Sequence, residues 1–215
     1  MIYFLSDLHA SLEFEAFNKY ISENHDNDLL ILLGDLELAF RDTEENRKFN
    51  ELLLNAKCPI AMIDGNHENY DFIYSYPTEE WNGGMVHRLS PYLVHLMRGY
   101  IYTIEGKSFL AFGGCRSSEG WRLKGLYWPQ QEASEEEYER AYNSLAERDN
   151  RVDYILTHKY HKDPNDPYLV KGLFDLTYFI DDHVDFKCWY SGHGHMNWEI
   201  DKRHRMVYDR LTPIE

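Results

Sequence analysis

Leu29-Leu30-Ile31-Leu32-Leu33-Gly34-Asp35 sets five consecutive apolar side chains against a glycine and a carboxylate. A strand with one face in water alternates apolar and polar residues. An unbroken apolar run needs cover on both faces, the pattern of a buried parallel strand. The same grammar repeats outward. Met1–Leu5 is apolar and breaks into Ser6-Asp7-Leu8-His9, and Ile60–Ile63 breaks into Asp64-Gly65-Asn66-His67-Glu68. Between these runs, Leu12–Asn24 (Leu12, Phe14, Phe17, Tyr20, Ile21) and Glu44–Ala56 (Phe49, Leu52, Leu53) carry apolar residues at helical spacing. The order βαβαβ predicts parallel strands covered by helices.

Further along, Val94–Met97, Tyr100–Ile104 and Ser108–Phe112 read as strands, the last two joined across Glu105-Gly106-Lys107 as a hairpin. Trp81–Gly84 carries turn signals. Ser118–Gln131 holds Trp121, Tyr127, Trp128 and Pro129 without a clear period and reads as a long functional loop. Ser134–Ala146 opens with Ser134 and Glu137 at capping-box spacing and predicts a helix. Val152–Leu156 and Cys188–Tyr190 are further buried strands, ending in Thr157-His158 and Ser191-Gly192-His193-Gly194-His195. Asp163–Tyr168 reads as a loop, Leu173–Asp182 as a short helix and Trp198–Tyr208 as a closing hairpin. No repeat or linker interrupts the chain, so residues 1–215 are expected to form one domain.

Composition narrows the function classes. Against 22 Lys and Arg stand 37 Asp and Glu, a net charge of −15. No basic cluster suits a duplex nucleic acid or an anionic membrane surface, so nucleic acid is expected only as a small or single-stranded substrate. The 3 Cys are widely spaced, with no C-x-x-C, which argues against a disulfide framework or zinc knuckle and for a reducing, cytoplasmic setting. The first ten residues do not read as a signal peptide, and no run approaches the roughly 18 apolar residues of a membrane helix.

Five predicted strands thus end in Asp, Asn or His. In a mostly parallel sheet those ends share one edge, where ligands bind. Carboxylate, imidazole and amide oxygen together suit divalent metals such as Mn, Fe or Zn. Asp7-x-His9 and His193-x-His195 put pairs of donors on one side of an extended segment. Taken in order, Asp7-x-His9, Gly34-Asp35, Gly65-Asn66-His67-Glu68, His158 and Gly192-His193-x-His195 resemble the signature of the calcineurin-like metallophosphoesterases. The resemblance implies a four-layer αββα sandwich of α/β class. It implies that Asp7, His9, Asp35 and His195 hold one metal, and that Asp35 bridges to a second held also by Asn66, His158 and His193. Two divalent ions (Mn first; Fe, Zn, Ni, Co or Mg as others) would activate a water for hydrolysis of a phosphate ester. His67 would donate a proton to the leaving group and Glu68 would orient it. Two such ions set against Asp7, Asp35 and a hydroxide leave the centre at about +1, which lets an acidic protein hold a phosphate.

The Asp-Arg-Gly that follows Gly-Asp in the protein phosphatase branch is absent: Leu36-Glu37-Leu38-Ala39 stands there. The phosphate clamp is therefore sought among Arg116 and Arg122, with Trp121 and His161 as further pocket residues. His25, His87, His95, His183 and His204 read as surface or packing residues, Arg98 as structural and the cysteines as core. The expected activity is that of a phosphomonoesterase acting on a phosphoprotein or small metabolite. A nucleotide or cyclic-nucleotide phosphodiesterase is the alternative, favoured by the aromatic residues near Trp121. A non-catalytic metal-binding scaffold is the third reading, set against the presence of every ligand position and of His67.

Overall fold

The computed structural model describes residues 1–23, 25, 27–160, 163, 165–166, 168 and 170–215. Strands β1 (Ile2–Leu5), β2 (Leu29–Leu33) and β3 (Ile60–Ile63) alternate with helices α1 (Glu15–Ser22) and α2 (Glu44–Leu54). A short helix α3 (Tyr70–Tyr74) leads into β4 (Thr78–Trp81), β5 (Gly84–Arg88) and β6 (Leu93–Leu96). The second half contains β7 (Ile101–Ile104), β8 (Lys107–Phe112), α4 (Glu119–Leu123), a 3-10 turn (Pro129–Gln131), α5 (Glu135–Ala146), β9 (Tyr154–Thr157), α6 (Lys171–His183) and β10 (Cys188–Ser191). Three short strands close it: β11 (Trp198–Glu199), β12 (His204–Met206) and β13 (Thr212–Pro213).

These form two sheets. One has the order β13-β1-β2-β3-β6-β5-β4, the other β11-β12-β10-β9-β8-β7. β1, β2, β3 and β6 run parallel, as do β8, β9, β10 and β12. The alternation of buried side chains explains the layering, because successive residues of a strand point to opposite faces. Phe4, Ile31 and Ile63 of the first sheet meet Phe109, Tyr154 and Tyr190 of the second in one core; Phe4 stacks on Tyr190 with ring centroids 4.1 Å apart. Leu5, Leu30, Leu32 and Met62 face the other way, onto Phe17, Tyr20, Phe49 and Leu53 of α1 and α2. Leu110, Phe112, Ile155 and Trp189 pack on Ala141, Leu145, Leu173, Leu176 and Ile180 of α5 and α6. The result is helices, sheet, sheet, helices, the αββα sandwich expected. None of the described helices is long and apolar enough to cross a membrane.

The differences have local causes. α1 starts at Glu15 and not at Leu12, because the Asn18 side chain donates to the Leu12 carbonyl at 2.7 Å and holds the preceding turn open. The capping box of Ser134 and Glu137 forms as expected. The stretch Thr78–Arg88 is an antiparallel hairpin turning on Asn82 and Gly83. Its outer strand exposes Glu79 and Glu80 and carries no apolar run to announce it. The 118–131 segment is a loop expected to lack regular structure, yet it contains α4 and the 3-10 turn.

Candidate metal centre

The parallel strands end at one edge of the sandwich, and the loops leaving them are laced together. Asp7 N donates to the Gly34 carbonyl at 3.0 Å, His9 N to the Asp35 carbonyl at 3.0 Å and Ala10 N to the Leu36 carbonyl at 3.1 Å. Asp7, His9, Asp35, His193 and His195 all adopt left-handed backbone, with φ of 56°, 45°, 54°, 68° and 50°. Such conformations cost non-glycine residues on the order of 1–3 kcal/mol each and persist where the surroundings over-determine them. Here they bring five side chains together beyond the strand ends. Gly65 is required for a different reason: a Cβ there would collide with the Asp35 carboxylate and backbone nitrogen. A Cβ on Gly192 would likewise overlap the Ser6 hydroxyl.

Donor atoms converge in four overlapping groups, each within 4.8 Å: Asp7, His9 and His195; Asp7, Asp35 and His158; Cys115, His158 and His193; and His9, Glu37 and His67. His9 Nε2 lies 3.0 Å from His195 Nε2, and His193 Nδ1 lies 3.2 Å from His158 Nε2. His195 Nε2 is 3.5 Å from Asp7 Oδ1, and His158 Nε2 is 3.4 Å from Asp35 Oδ1. Asp7 Oδ1 is buried and accepts no hydrogen bond among the described residues, an expensive state unless a cation completes it. Paired ring nitrogens and this oxygen fit divalent metals. Backbone contacts fix the donors from behind. His158 Nδ1 donates to the Leu33 carbonyl at 2.7 Å, which turns Nε2 toward the other donors. Asp7 Oδ2 accepts from His193 N at 2.9 Å, and Asp35 Oδ1 from His67 N at 2.8 Å. Asn66 Nδ2 donates to Ser117 Oγ at 2.9 Å.

The electrostatics follow from these contacts. Burial opposes the Asp35 charge, but His158, with His67 and His9, holds its carboxyl well below the usual range. Burial likewise opposes an imidazolium at His158, and Asp35 beside it raises its pKa well above the ordinary value. Burial and the neighbouring His158 lower His193 to about 3, so at neutral pH its ring is uncharged and one nitrogen keeps a lone pair for a metal. The Asp7 carboxylate beside it raises the pKa of His195.

The cleft over these donors encloses about 630 Å³, and Asp35, His67, Trp121 and His193 are among its lining residues. His67 packs on Phe40 with ring centroids 5.2 Å apart and meets the edge of Trp121 at 4.5 Å. Glu68 is fully buried below the cleft; its oxygens accept from Leu36 N at 2.8 Å and Leu38 N at 3.0 Å, so it braces the loop after β2. Burial and the Asp35 charge push its pKa well up. The carboxylate nearest the His67 ring is instead Glu37, with Oε1 3.8 Å from His67 Nδ1 and 3.3 Å from His9 Nδ1. Burial opposes the Glu37 charge, but His67, His9 and Arg41 hold its pKa at about 2.

Of the expected substrate contacts, Trp121 lines the cleft. The Arg116 guanidinium pairs with Glu132 at 2.9 and 2.8 Å, and that of Arg122 lies over Tyr127 at 5.5 Å. His161 falls outside the described residues. The arginine that lines the cleft is Arg41, which the sequence reading passed over together with Glu37. A signal was available for Glu37: it stands two residues after Asp35, the spacing that joins Asp7 to His9.

No curated protein matches the chain. The family model for calcineurin-like phosphoesterases matches residues 1–197, a span running from the first strand past His195, the last expected ligand. The family hydrolyses phosphate esters with divalent metals, the chemistry for which these clustered donors are suited. Matched over most of its length, the chain belongs to the calcineurin-like phosphoesterases.

Proposed function

We propose that the protein hydrolyses phosphomonoesters and that Arg41 supplies the phosphate clamp. Arg41 carries this reading, because it lines the same cleft as His9, Asp35 and His67. Two of its N–H groups go to Glu37, out of the five a guanidinium offers. A monoester presents a terminal dianion, and a guanidinium beside the centre suits its geometry and charge.

Asp7, His9, Asp35 and His195 would hold one divalent ion, and Asp35, Asn66, His158 and His193 the other. When bound, the ions supply Lewis acidity that activates a water and neutralises phosphoryl oxygens. The chain's own residues do the rest. Arg41 orients the phosphoryl group. With Nδ1 of His67 3.8 Å from Glu37 Oε1, the proton delivered to the departing oxygen is the one on Nε2. Phe40 and Trp121 hold that ring from two sides. We place the enzyme in the cytoplasm and take residues 1–215 as one domain.

Trp121 favours a second reading, a nucleotide phosphodiesterase, since an indole at the rim can stack a base. Turnover of p-nitrophenyl phosphate and bis-p-nitrophenyl phosphate by Mn-loaded protein separates the two. A preference for the monoester is expected; a strong preference for the diester overturns the proposal.

A further inference from the structure

A sixth strand end reaches the metal centre. β8 runs parallel to β9, with Phe112 opposite Thr157, so the chain leaving β8 emerges beside the one that carries His158. It passes through Gly113 and Gly114 and delivers Cys115, which is buried. Gly113 lies so close to the Asp64 backbone and carboxylate that a Cβ there would force the segment away. That contact pins the approach of Cys115 to the residues following β3.

Cys115 Sγ lies 2.9 Å from Asn66 Oδ1 and 3.8 Å from His193 Nδ1. With ring nitrogens of His158 and His193 it forms a group whose donor atoms all fall within 4.8 Å. A tetrahedral ion with bonds of about 2.3 Å to sulfur and about 2.05 Å to nitrogen separates S from N by about 3.6 Å and N from N by about 3.3 Å. The observed separations are 3.8 Å for Cys115 Sγ to His193 Nδ1 and 3.2 Å for His193 Nδ1 to His158 Nε2. Two of the three separations thus stand close to the spacing of ligands to one ion, and the third falls within 4.8 Å.

We propose that Cys115 is a thiolate ligand of the metal held by His158 and His193. The S–H proton, donated to Asn66 Oδ1 in the structure, passes to solvent as the sulfur–metal bond forms, which frees the Asn66 oxygen to face the same ion. A soft sulfur donor biases this position toward Zn, Co or Fe over Mn, while the Asp7, His9 and His195 position keeps nitrogen and oxygen donors only. The two positions therefore differ in metal preference. The inference rests on the assignment of this edge as a metal centre, and its test separates the two claims.

Wild-type protein and the Cys115→Ser variant are loaded with Co(II), and uptake and spectra are recorded. The expected result is a thiolate-to-cobalt charge-transfer band in the near ultraviolet for the wild type. The variant should lose it while keeping the visible d–d bands. Cobalt uptake with d–d bands and the same near-ultraviolet spectrum in both proteins overturns the role of Cys115 and leaves the metal centre standing. No cobalt uptake by the wild type overturns both. Should the variant fail to fold, zinc X-ray absorption on the wild type decides: a sulfur shell near 2.3 Å supports the ligand, and nitrogen and oxygen scattering alone overturns it.

Discussion

Arg41 grips Glu37 with two hydrogen bonds, Nε to Oε2 at 3.0 Å and Nη2 to Oε1 at 2.9 Å, and Glu37 Oε1 in turn lies 3.3 Å from His9 Nδ1. A carboxylate behind a ligating histidine fixes its tautomer and raises its basicity. Replacing Glu37 with Gln keeps the shape and removes the charge. If His9 holds an ion as proposed, affinity for it should fall by about 10- to 100-fold. Metal titration by calorimetry reads this directly, and unchanged affinity would assign Glu37 to Arg41 alone.

Arg41 itself sets the second prediction. Charge-assisted hydrogen bonds contribute about 1.5–3 kcal/mol, so Arg41→Ala should lower kcat/KM by about 10- to 100-fold, chiefly through KM. Arg41→Lys should restore little, because an ammonium offers no planar fork. Arg116→Ala and Arg122→Ala should stay near wild type, since neither is among the residues that line the cleft. Steady-state kinetics on all four variants checks this; a KM effect confined to Arg116 or Arg122 would return the clamp to the 118–131 side of the cleft.

His67→Ala should retain both metals and slow hydrolysis of an alkyl phosphate by ~10²–10⁴-fold, the usual contribution of a positioned general acid. With p-nitrophenyl phosphate the loss should be far smaller, because that leaving group departs without a proton. Equal losses on the two substrates would mean that His67 positions substrate and delivers no proton.

Legibility followed the physics of each signal. The inner strands announce themselves because burial on both faces demands unbroken apolar runs, and the metal-ligand candidates because each stands directly after such a run. Glu79 and Glu80 of β4 escape notice because an edge strand with an open face needs no apolar run. Glu37 and Arg41 read as ordinary charges: only the fold of the loop after β2 buries the carboxylate and brings the guanidinium against it. Arg116 reads as a free cation until Glu132, sixteen residues on, is seen beside it. Cys115 reads as core, and it is buried; the parallel pairing of β8 with β9 that carries it to His158 is a tertiary fact.

His87 and His95, expected as surface or packing residues, form a buried relay that gives the last prediction. Asp64 Oδ1 faces His95 Nε2 at 2.9 Å, Arg98 Nε donates to Asp64 Oδ2 at 2.9 Å, and His95 Nδ1 faces His87 Nδ1 at 3.1 Å. Tyr74 stacks on His87 with ring centroids 5.0 Å apart. Burial first, and then the neighbouring His95, lower the His87 pKa from 6.5 to about 4. The unfolded chain therefore binds more protons between pH 4 and 6.5, and the stability contributed by neutral His87 is complete above 6.5 and is lost as pH falls toward 4. The full loss is at most ~3 kcal/mol. Urea midpoints across this range should fall with pH in the wild type. In His87→Gln they should start lower at pH 7 and fall less steeply, the carboxylates common to both proteins accounting for the remainder. Identical slopes in the two proteins would show that His87 titrates in the folded protein as it does in the open chain.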